Sequence, residues 1–342
     1  MRGEKFEQLS GQKTFASCSG FDCRRKTTRR HLFLHTMNQI MPWQALVELV
    51  EPYWPKQDGP GRPTKPLLWM LKLYFLQIWF HLSDPQTEEL MHDSHAVQEF
   101  LGLDLGRDTP PDETTICRFR HLLEEHRLGE KIFQIVNQYL AAAGIRVQNG
   151  TIVDATIIQA PTSRKNQQGQ PDPEMGATKK GNQWYYGMKV HVGVDSQTKL
   201  IHSVQVTPAN VHDSQVLGQL LHGQEEEVHG DKAYVGQEAT IRQKAPKARN
   251  CILQRASRGH PLSAWQKKWN QLQNAIRAKV EHVFGTLKHR FGWRKVRFRG
   301  LVKNAEYAYA AAACVNIYHH RRRLLEYLGK SLGRAGAAFC FG

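Results

Sequence analysis

At residue 149 the hydrophobic pattern of this chain changes period, and that change decides the class of fold. Upstream, from 31 to 145, apolar residues recur at helical spacing between breakers. Downstream, Asn149-Gly150 is a turn signal, and Thr151-Ile-Val-Asp-Ala-Thr-Ile-Ile158 has the composition of a strand before Pro161. A second strand is expected from about Tyr185 to Val194 and a third from Lys199 to Val206, joined by Asp195-Ser-Gln-Thr. A helix (Ser214–Leu221), a strand (Val228–Tyr234), a helix (Glu238–Lys244) and a short strand (Cys251-Ile-Leu-Gln) follow. Three strands in succession and then alternation predict a mixed α/β sheet with flanking helices, not a purely parallel one. One long helix is expected from about Leu262 to Arg290, roughly 43 Å long if unbroken.

The remaining segments divide the chain further. Residues 1–30 form a polar, basic tail ending in Arg24, Arg25, Lys26, Arg29 and Arg30. Met37–Tyr53 suits a helix stopped by Pro55, and Gln57-Asp-Gly-Pro-Gly-Arg-Pro63 is a breaker-rich linker. A helix from about Lys65 to Leu82 carries the longest apolar run, Leu67–Phe80. Its 14 residues include Lys72 and Gln77, too short and too polar to cross a bilayer. Ser83 and Asp112 are expected N-caps. Arg164–Gly181 is polar and suits a loop, and 305–328 is helical again. Four divisions result: a tail (1–30), a helical domain (31–145), an α/β domain (146–304) and a C-terminal helical extension with its tail (305–342).

Charge points to a partner. Lys and Arg total 47 against 31 Asp and Glu, a net +16 over 342 residues. The default partner of such a chain is a polyanion, nucleic acid first. The N-terminus lacks the apolar stretch of a secretory signal, and the six cysteines are scattered, with no second pair to complete Cys18-x4-Cys23. Reduced thiols and a cytoplasmic location are expected.

Three carboxylates stand where the local pattern would not choose an acid. Asp154 interrupts an apolar strand, Asp231 follows Gly230 at a strand end, and Glu281 lies in mid-helix. Singly, each suits a salt-bridged or edge-exposed acid. Together, acids on separate elements can converge on hard divalent cations. Two such ions can activate water on one side of a phosphodiester and stabilise the leaving oxygen on the other. Asn274, Arg277, Glu281 and Lys288 share one helix face by spacing. Arg277 and Lys288 suit phosphates beside a metal held by Glu281. Lys288, Arg290, Arg294, Lys295, Arg297, Arg299 and Lys303 are interleaved with Phe291, Trp293 and Phe298, a pattern suited to backbone tracking and base stacking.

These residues resemble the catalytic triad of DDE transposases, whose catalytic domain is RNase H-like. Asn274-x2-Arg277-x3-Glu281-x6-Lys288 resembles their Tyr-x2-Arg-x3-Glu-x6-Lys signature, with Asn in place of Tyr. The wording is similar to the bacterial "insertion sequence five" family over about residues 30–325. Matching stretches include Phe119-Arg-His-Leu-Leu-Glu-Glu-His126, Gly150-Thr-Ile-Val-Asp-Ala-Thr156, Gly187-Met-Lys-Val-His-Val-Gly-Val-Asp195, Ala209-Asn-Val-His-Asp213 and Gly230-Asp-Lys-Ala-Tyr234.

The resemblance implies an RNase H-like sheet between an all-α N-terminal domain and C-terminal helices. It implies Asp154, Asp231 and Glu281 as catalytic metal ligands for two Mg²⁺ or Mn²⁺ ions. Asn274, Arg277, Lys288, Arg294 and Arg297 would bind DNA. The partners would be terminal inverted repeats and target DNA, engaged by a homodimer in a synaptic complex, without membrane or ATP, at the bacterial nucleoid. The alternative is an inactive or repurposed copy acting as a repressor. Lys189, His191, Asp195 and His212-Asp213 are secondary candidates near the site, whereas Asp172 and Glu174 suit a polar loop. Arg118 and Arg120 are further candidates for DNA contact.

Overall fold

The computed structural model describes residues 27–55, 64–162, 169–257 and 259–339. Arg24, Arg25, Lys26, the Cys18/Cys23 pair and the 57–63 linker lie outside the described residues. Seven helices precede the sheet: α1 (Arg29–Ile40), α2 (Trp43–Val50), α3 (Leu67–Phe80), α4 (Asp84–Asp93), α5 (His95–Leu101), α6 (Glu113–Glu125) and α7 (Leu128–Ala142). The helix expected over Met37–Tyr53 is two helices, because Pro42 has no N–H to continue the first. Both expected caps are present: Ser83 Oγ accepts from Gln86 N–H in a capping box, and Asp112 Oδ1 accepts from Thr115 N–H. α3 is apolar on every side and central, with Met70 to Trp79 all buried. Lys72 survives there because its Nζ donates to the Phe100 carbonyl at 2.6 Å and lies over the Trp43 and Phe100 rings. Burial pulls its pKa down to about 8.

Six strands form the sheet: β1 (Gly150–Gln159), β2 (Gly176–Lys180), β3 (Gln183–Asp195), β4 (Ile201–Pro208), β5 (Glu227–His229) and β6 (Arg249–Asn250). β1 is antiparallel to β3 on one side and parallel to β5 on the other. β4 pairs antiparallel with β3, β6 pairs parallel with β5, and β2 adds to the first part of β3. Antiparallel β1, β3 and β4 followed by parallel β5 and β6, with β2 added at the antiparallel edge, make the expected RNase H-like mixed sheet. Helices α8 (Leu217–Leu220), α9 (Glu238–Lys244), α10 (Ala264–Arg277), α11 (Lys279–Gly285) and α12 (Leu301–Phe339) complete the chain.

One apolar core runs from Leu34 to Leu324, joining the N-terminal helices, one sheet face, α11 and α12. A smaller core under the opposite face gathers Val153, Leu217, Leu220, Val228, Tyr234 and Ile241. Neighbours on β1 therefore part company: Ile152 enters the large core and Val153 the small one.

Four local expectations are corrected. The stretch expected as a loop from Arg164 to Gly181 contains β2, an edge strand held only by β3. The strand expected to Tyr234 stops at His229, because Asp231 caps a 3₁₀ turn, Lys232–Tyr234. The short strand expected at Cys251 lies two residues earlier, although Cys251 N–H still reaches the Val228 carbonyl at 2.8 Å. The long helix is broken at Ala278 and ends in a π-turn, Thr286–Arg290. No Pro or Gly marks the Ala278 break; Lys279 Nζ is tied to the Ser196 carbonyl at the β3–β4 turn, 2.7 Å away.

Candidate active site

Asp154, Asp231 and Glu281 line one cavity of about 940 Å³. Each arrives by a different route. Asp154 stands on the central strand β1, Asp231 just beyond the end of the neighbouring β5, and Glu281 on α11. Asp154 is fixed from two sides: Oδ2 accepts from Arg277 Nη1 at 2.6 Å and Oδ1 from Ala155 N–H at 2.8 Å. Asp231 is held by its cap bond, Oδ1 accepting from Ala233 N–H at 2.8 Å. Glu281 is exposed and lies 4.0 Å from Arg277 Nη2.

A fourth carboxylate shares the cavity. Asp213, at the start of a 3₁₀ turn, accepts from Lys189 Nζ at 2.8 Å. His191 Nδ1 lies 4.0 Å from the same oxygen, and its Nε2 pairs with Thr207 Oγ1 at 2.9 Å. Burial pulls the His191 pKa down to about 4, so the ring is neutral near pH 7. The buried Tyr234 hydroxyl has no hydrogen-bond partner and feels Asp213, Asp154 and Asp231; burial, then these charges, push its pKa well up.

This crowding has a measurable consequence at Asp154. Burial pushes its carboxyl up to about 6, against the opposing pull of Arg277 and the Ala155 N–H, with Asp231 and Asp213 adding to the rise. The donors in the cavity are carboxylate oxygens, the set that hard divalent cations take. These residues fit such an ion.

The opposite wall is cationic. Lys179 and Lys180 come from β2, Lys288 from the π-turn and Arg294 from the segment beyond it. That segment is anchored to the end of β1: Gln159 N–H donates to the Arg294 carbonyl at 3.1 Å and Val296 N–H to the Gln159 carbonyl at 2.8 Å. Burial, with Lys180 and Arg294 nearby, lowers the Lys288 pKa.

The other expected residues are distributed as follows. Arg277, Lys288 and Arg294 line the cavity with the three acids; Asn274 is exposed and lies outside its lining. Arg297 turns the other way, donating to the Leu82 carbonyl and lying over the Phe298 and Tyr307 rings. The aromatics beside it are not stacking platforms. Phe291 and Trp293 are buried in the core, and Arg120 covers Phe298 at 4.4 Å. Arg120 also pairs with Asp84 and Glu124, whereas Arg118 is exposed. Asp195 organises the β3–β4 turn, accepting from Gln148, Gln197 and Thr198. Asp172 and Glu174 accept the Gly300 and Leu301 N–H groups at the start of α12. Sequence reasoning missed Lys179, Lys180 and Tyr234, and gave Lys189 and Asp213 only secondary rank. No apolar alternation marked Lys179 and Lys180 as strand residues.

Residues 146–317 match the family described as "Transposase DDE domain", and residues 21–122 match "Transposase domain". Among solved structures, the chain is similar to a cryo-EM structure of the piggyBac transposase synaptic complex with hairpin DNA. Identity is 10%, the match covers 90% of this chain and 78% of that one, and the TM-score is 0.46. It is also similar to the crystal structure of the Mos1 strand transfer complex, at 14% identity, 80% and 81% coverage, and a TM-score of 0.24.

Proposed function

The chain belongs to the transposases with a DDE domain, and from that premise we propose that Asp154, Asp231 and Glu281 are its catalytic acids. The observation that carries this reading is the meeting of these three acids, from β1, the end of β5 and α11, in one cavity walled by Lys179, Lys180, Lys288 and Arg294. Transposases of this kind depend on divalent metal. We assign two Mg²⁺ or Mn²⁺ ions to Asp154, Asp231 and Glu281, with Asp213 beside them. Bound there, such ions supply Lewis-acid activation of the attacking oxygen and neutralise charge on the leaving one.

The chain's own residues divide the rest of the work. Arg277 and the Ala155 N–H hold both oxygens of Asp154, so this carboxylate is oriented before any ligand arrives. Glu281, exposed and 4.0 Å from Arg277 Nη2, completes the acid set from α11. Lys179, Lys180, Lys288 and Arg294 hold the phosphates flanking the scissile bond. Water attacks first, freeing a 3′-hydroxyl at the element's end. That hydroxyl then attacks target DNA, one phosphodiester bond replacing another, so no ATP is needed. The ends are terminal inverted repeats of an insertion sequence, which we place with the "insertion sequence five" group. Two ends must be brought together, which implies a homodimer acting in the bacterial cytoplasm at the nucleoid. Among the described residues no helix is long and apolar enough to cross a membrane.

The test incubates the purified chain with DNA carrying its own gene and flanks, with Mg²⁺ and with EDTA. Metal-dependent 3′ ends at a pair of inverted repeats, followed by joining, are expected. Asp154→Asn, Asp231→Asn and Glu281→Gln should each abolish cutting and leave DNA binding largely intact. A variant that cuts near-normally removes its residue from the site.

A further inference from the structure

A second cluster of ligating side chains lies outside the carboxylate cavity. Glu227, His229 and Cys251 present a carboxylate oxygen, an imidazole nitrogen and a thiol within 4.8 Å of one another. Glu227 and His229 alternate on β5 and so share one face; Cys251 follows β6 beside them. His229 and Cys251 are buried, at 1% and 0% exposure.

The hydrogen bonding of His229 is the decisive observation. Its Nδ1 lies 2.8 Å from Gln273 Oε1 on α10. An amide oxygen only accepts, so Nδ1 carries the hydrogen. In the neutral ring Nε2 then presents a lone pair. That atom is buried, makes no hydrogen bond, and faces Glu227 Oε2 at 3.3 Å. A proton on Nε2 or a metal ion would join these two atoms; Cys251 Sγ, within 4.8 Å of both, is a third ligand that only the metal would use. A ligating imidazole whose other nitrogen is fixed by an acceptor is the usual arrangement around a metal. The other oxygen of Glu227 pairs with Arg249, whose guanidinium lies over Trp269 and also reaches the Cys251 sulfur, favouring its thiolate. The carboxylate therefore has one oxygen for the arginine and one for the cluster. Ligands about 2.0–2.3 Å from a tetrahedral zinc ion sit about 3.3–3.6 Å apart. The Glu227–His229 separation already meets this.

We propose that Glu227, His229 and Cys251 bind one zinc-class divalent ion, with water as fourth ligand. Binding forms a sulfur–metal bond and releases the thiol proton to solvent. The ion ties β5 to the segment after β6, immediately before Gly230-Asp231. Gln273 connects it to α10 one turn from Arg277, which holds Asp154. The role is structural, and it stands whether or not the acid assignment above holds.

The test uses the full chain carrying Asp154→Asn and Glu281→Gln, so that the acid cavity does not compete for metal. Co²⁺ replaces zinc as the probe. One ion per chain and an intense near-ultraviolet thiolate-to-cobalt absorption are expected, with a higher melting temperature in Zn²⁺ than in EDTA. Cys251→Ser should abolish the absorption. Glu227→Gln, at a half-exposed position that tolerates change, should weaken Co²⁺ affinity about tenfold or more while keeping the far-ultraviolet circular dichroism. No thiolate absorption in the parent chain overturns the proposal, and so does an absorption that survives Cys251→Ser.

Discussion

Asp154 holds its proton more tightly in the folded chain than in the unfolded one. Burial first, then Asp231 and Asp213, raise its pKa from 3.8 to about 6 despite Arg277. Above pH 6 the fold therefore carries an ionised carboxylate that it disfavours, and stability is gained as pH falls through 6 toward 3.8. The cost at pH 8 is on the order of 3 kcal/mol. Asp154→Asn removes it, because the amide oxygen still accepts from Arg277. In EDTA the variant should melt several degrees above the parent at pH 8, and the gap should close by about pH 4. An equal or lower melting temperature at pH 8 would mean that Arg277 compensates the buried charge fully. At this scale the sequence was legible where residue type and place conflict. An acid inside Ile152-Val-Asp-Ala-Thr-Ile-Ile158 suits a salt bridge when taken singly, and points to a metal only together with Asp231 and Glu281. Asp213 had no such signal, because an acid on a loop is ordinary until Lys189 and the cavity give it neighbours. Phe291 and Trp293 misled for a related reason: an aromatic beside arginines suits a stacking platform and a core equally, and only burial separates the two.

At the scale of elements, β2 and the start of α12 make the clearest test. β2 was illegible because Gly176-Ala-Thr-Lys-Lys180 has no alternating apolar face; its partner β3 imposes the strand. Yet this strand carries Lys179 and Lys180 into the cavity. Replacing both with Ala should flatten the dependence of DNA affinity on salt, by close to one log–log slope unit for each phosphate no longer neutralised. An unchanged slope in a filter or anisotropy titration would move the DNA path away from β2. The loop before β2 has a different task. Asp172 and Glu174 accept the Gly300 and Leu301 N–H groups, which no intrahelical acceptor serves. Asp172→Ala with Glu174→Ala should cost about 1–2 kcal/mol in denaturant unfolding. Neither residue lines the cavity, so cleavage per folded molecule should stay near normal. A variant that folds fully but does not cut would assign them to the chemistry after all. The helix break at Ala278 was equally invisible, since no breaker marks it and the tie to Ser196 comes from 83 residues away.

The whole molecule is joined by α12. Its Ala-rich stretch lets it pack closely, with Ala308 and Ala310–Ala313 buried against α7 and the sheet. Asn316, fully buried, supplies what a neighbouring strand would otherwise give β4: Oδ1 accepts the Ile201 N–H at 2.9 Å and Nδ2 donates to the Ile201 carbonyl at 2.8 Å. The same Nδ2 reaches Asn137 on α7, also at 2.8 Å. One side chain thus binds the N-terminal helices, the sheet edge and the C-terminal helix together. The pattern change near 145/146 was legible as a change of element type, whereas the boundary expected at 304/305 falls inside α12, which begins at Leu301. That the core runs across both was not legible, because periodicity tells which face of a helix is apolar but not what covers it. A core shared in this way predicts one cooperative transition, with tryptophan fluorescence and far-ultraviolet circular dichroism unfolding together. Asn316→Ala leaves the buried Ile201 N–H unpaired, while the Ile201 carbonyl keeps Asn137 Nδ2 at 3.2 Å, and the cost should be about 1–3 kcal/mol. Because β4, α7 and α12 meet at that residue, both probes should shift by the same amount. Two separated transitions, or a shift confined to one probe, would mean that the helical region and the sheet are stable independently. α12 would then be a lid on two units instead of the element that makes them one.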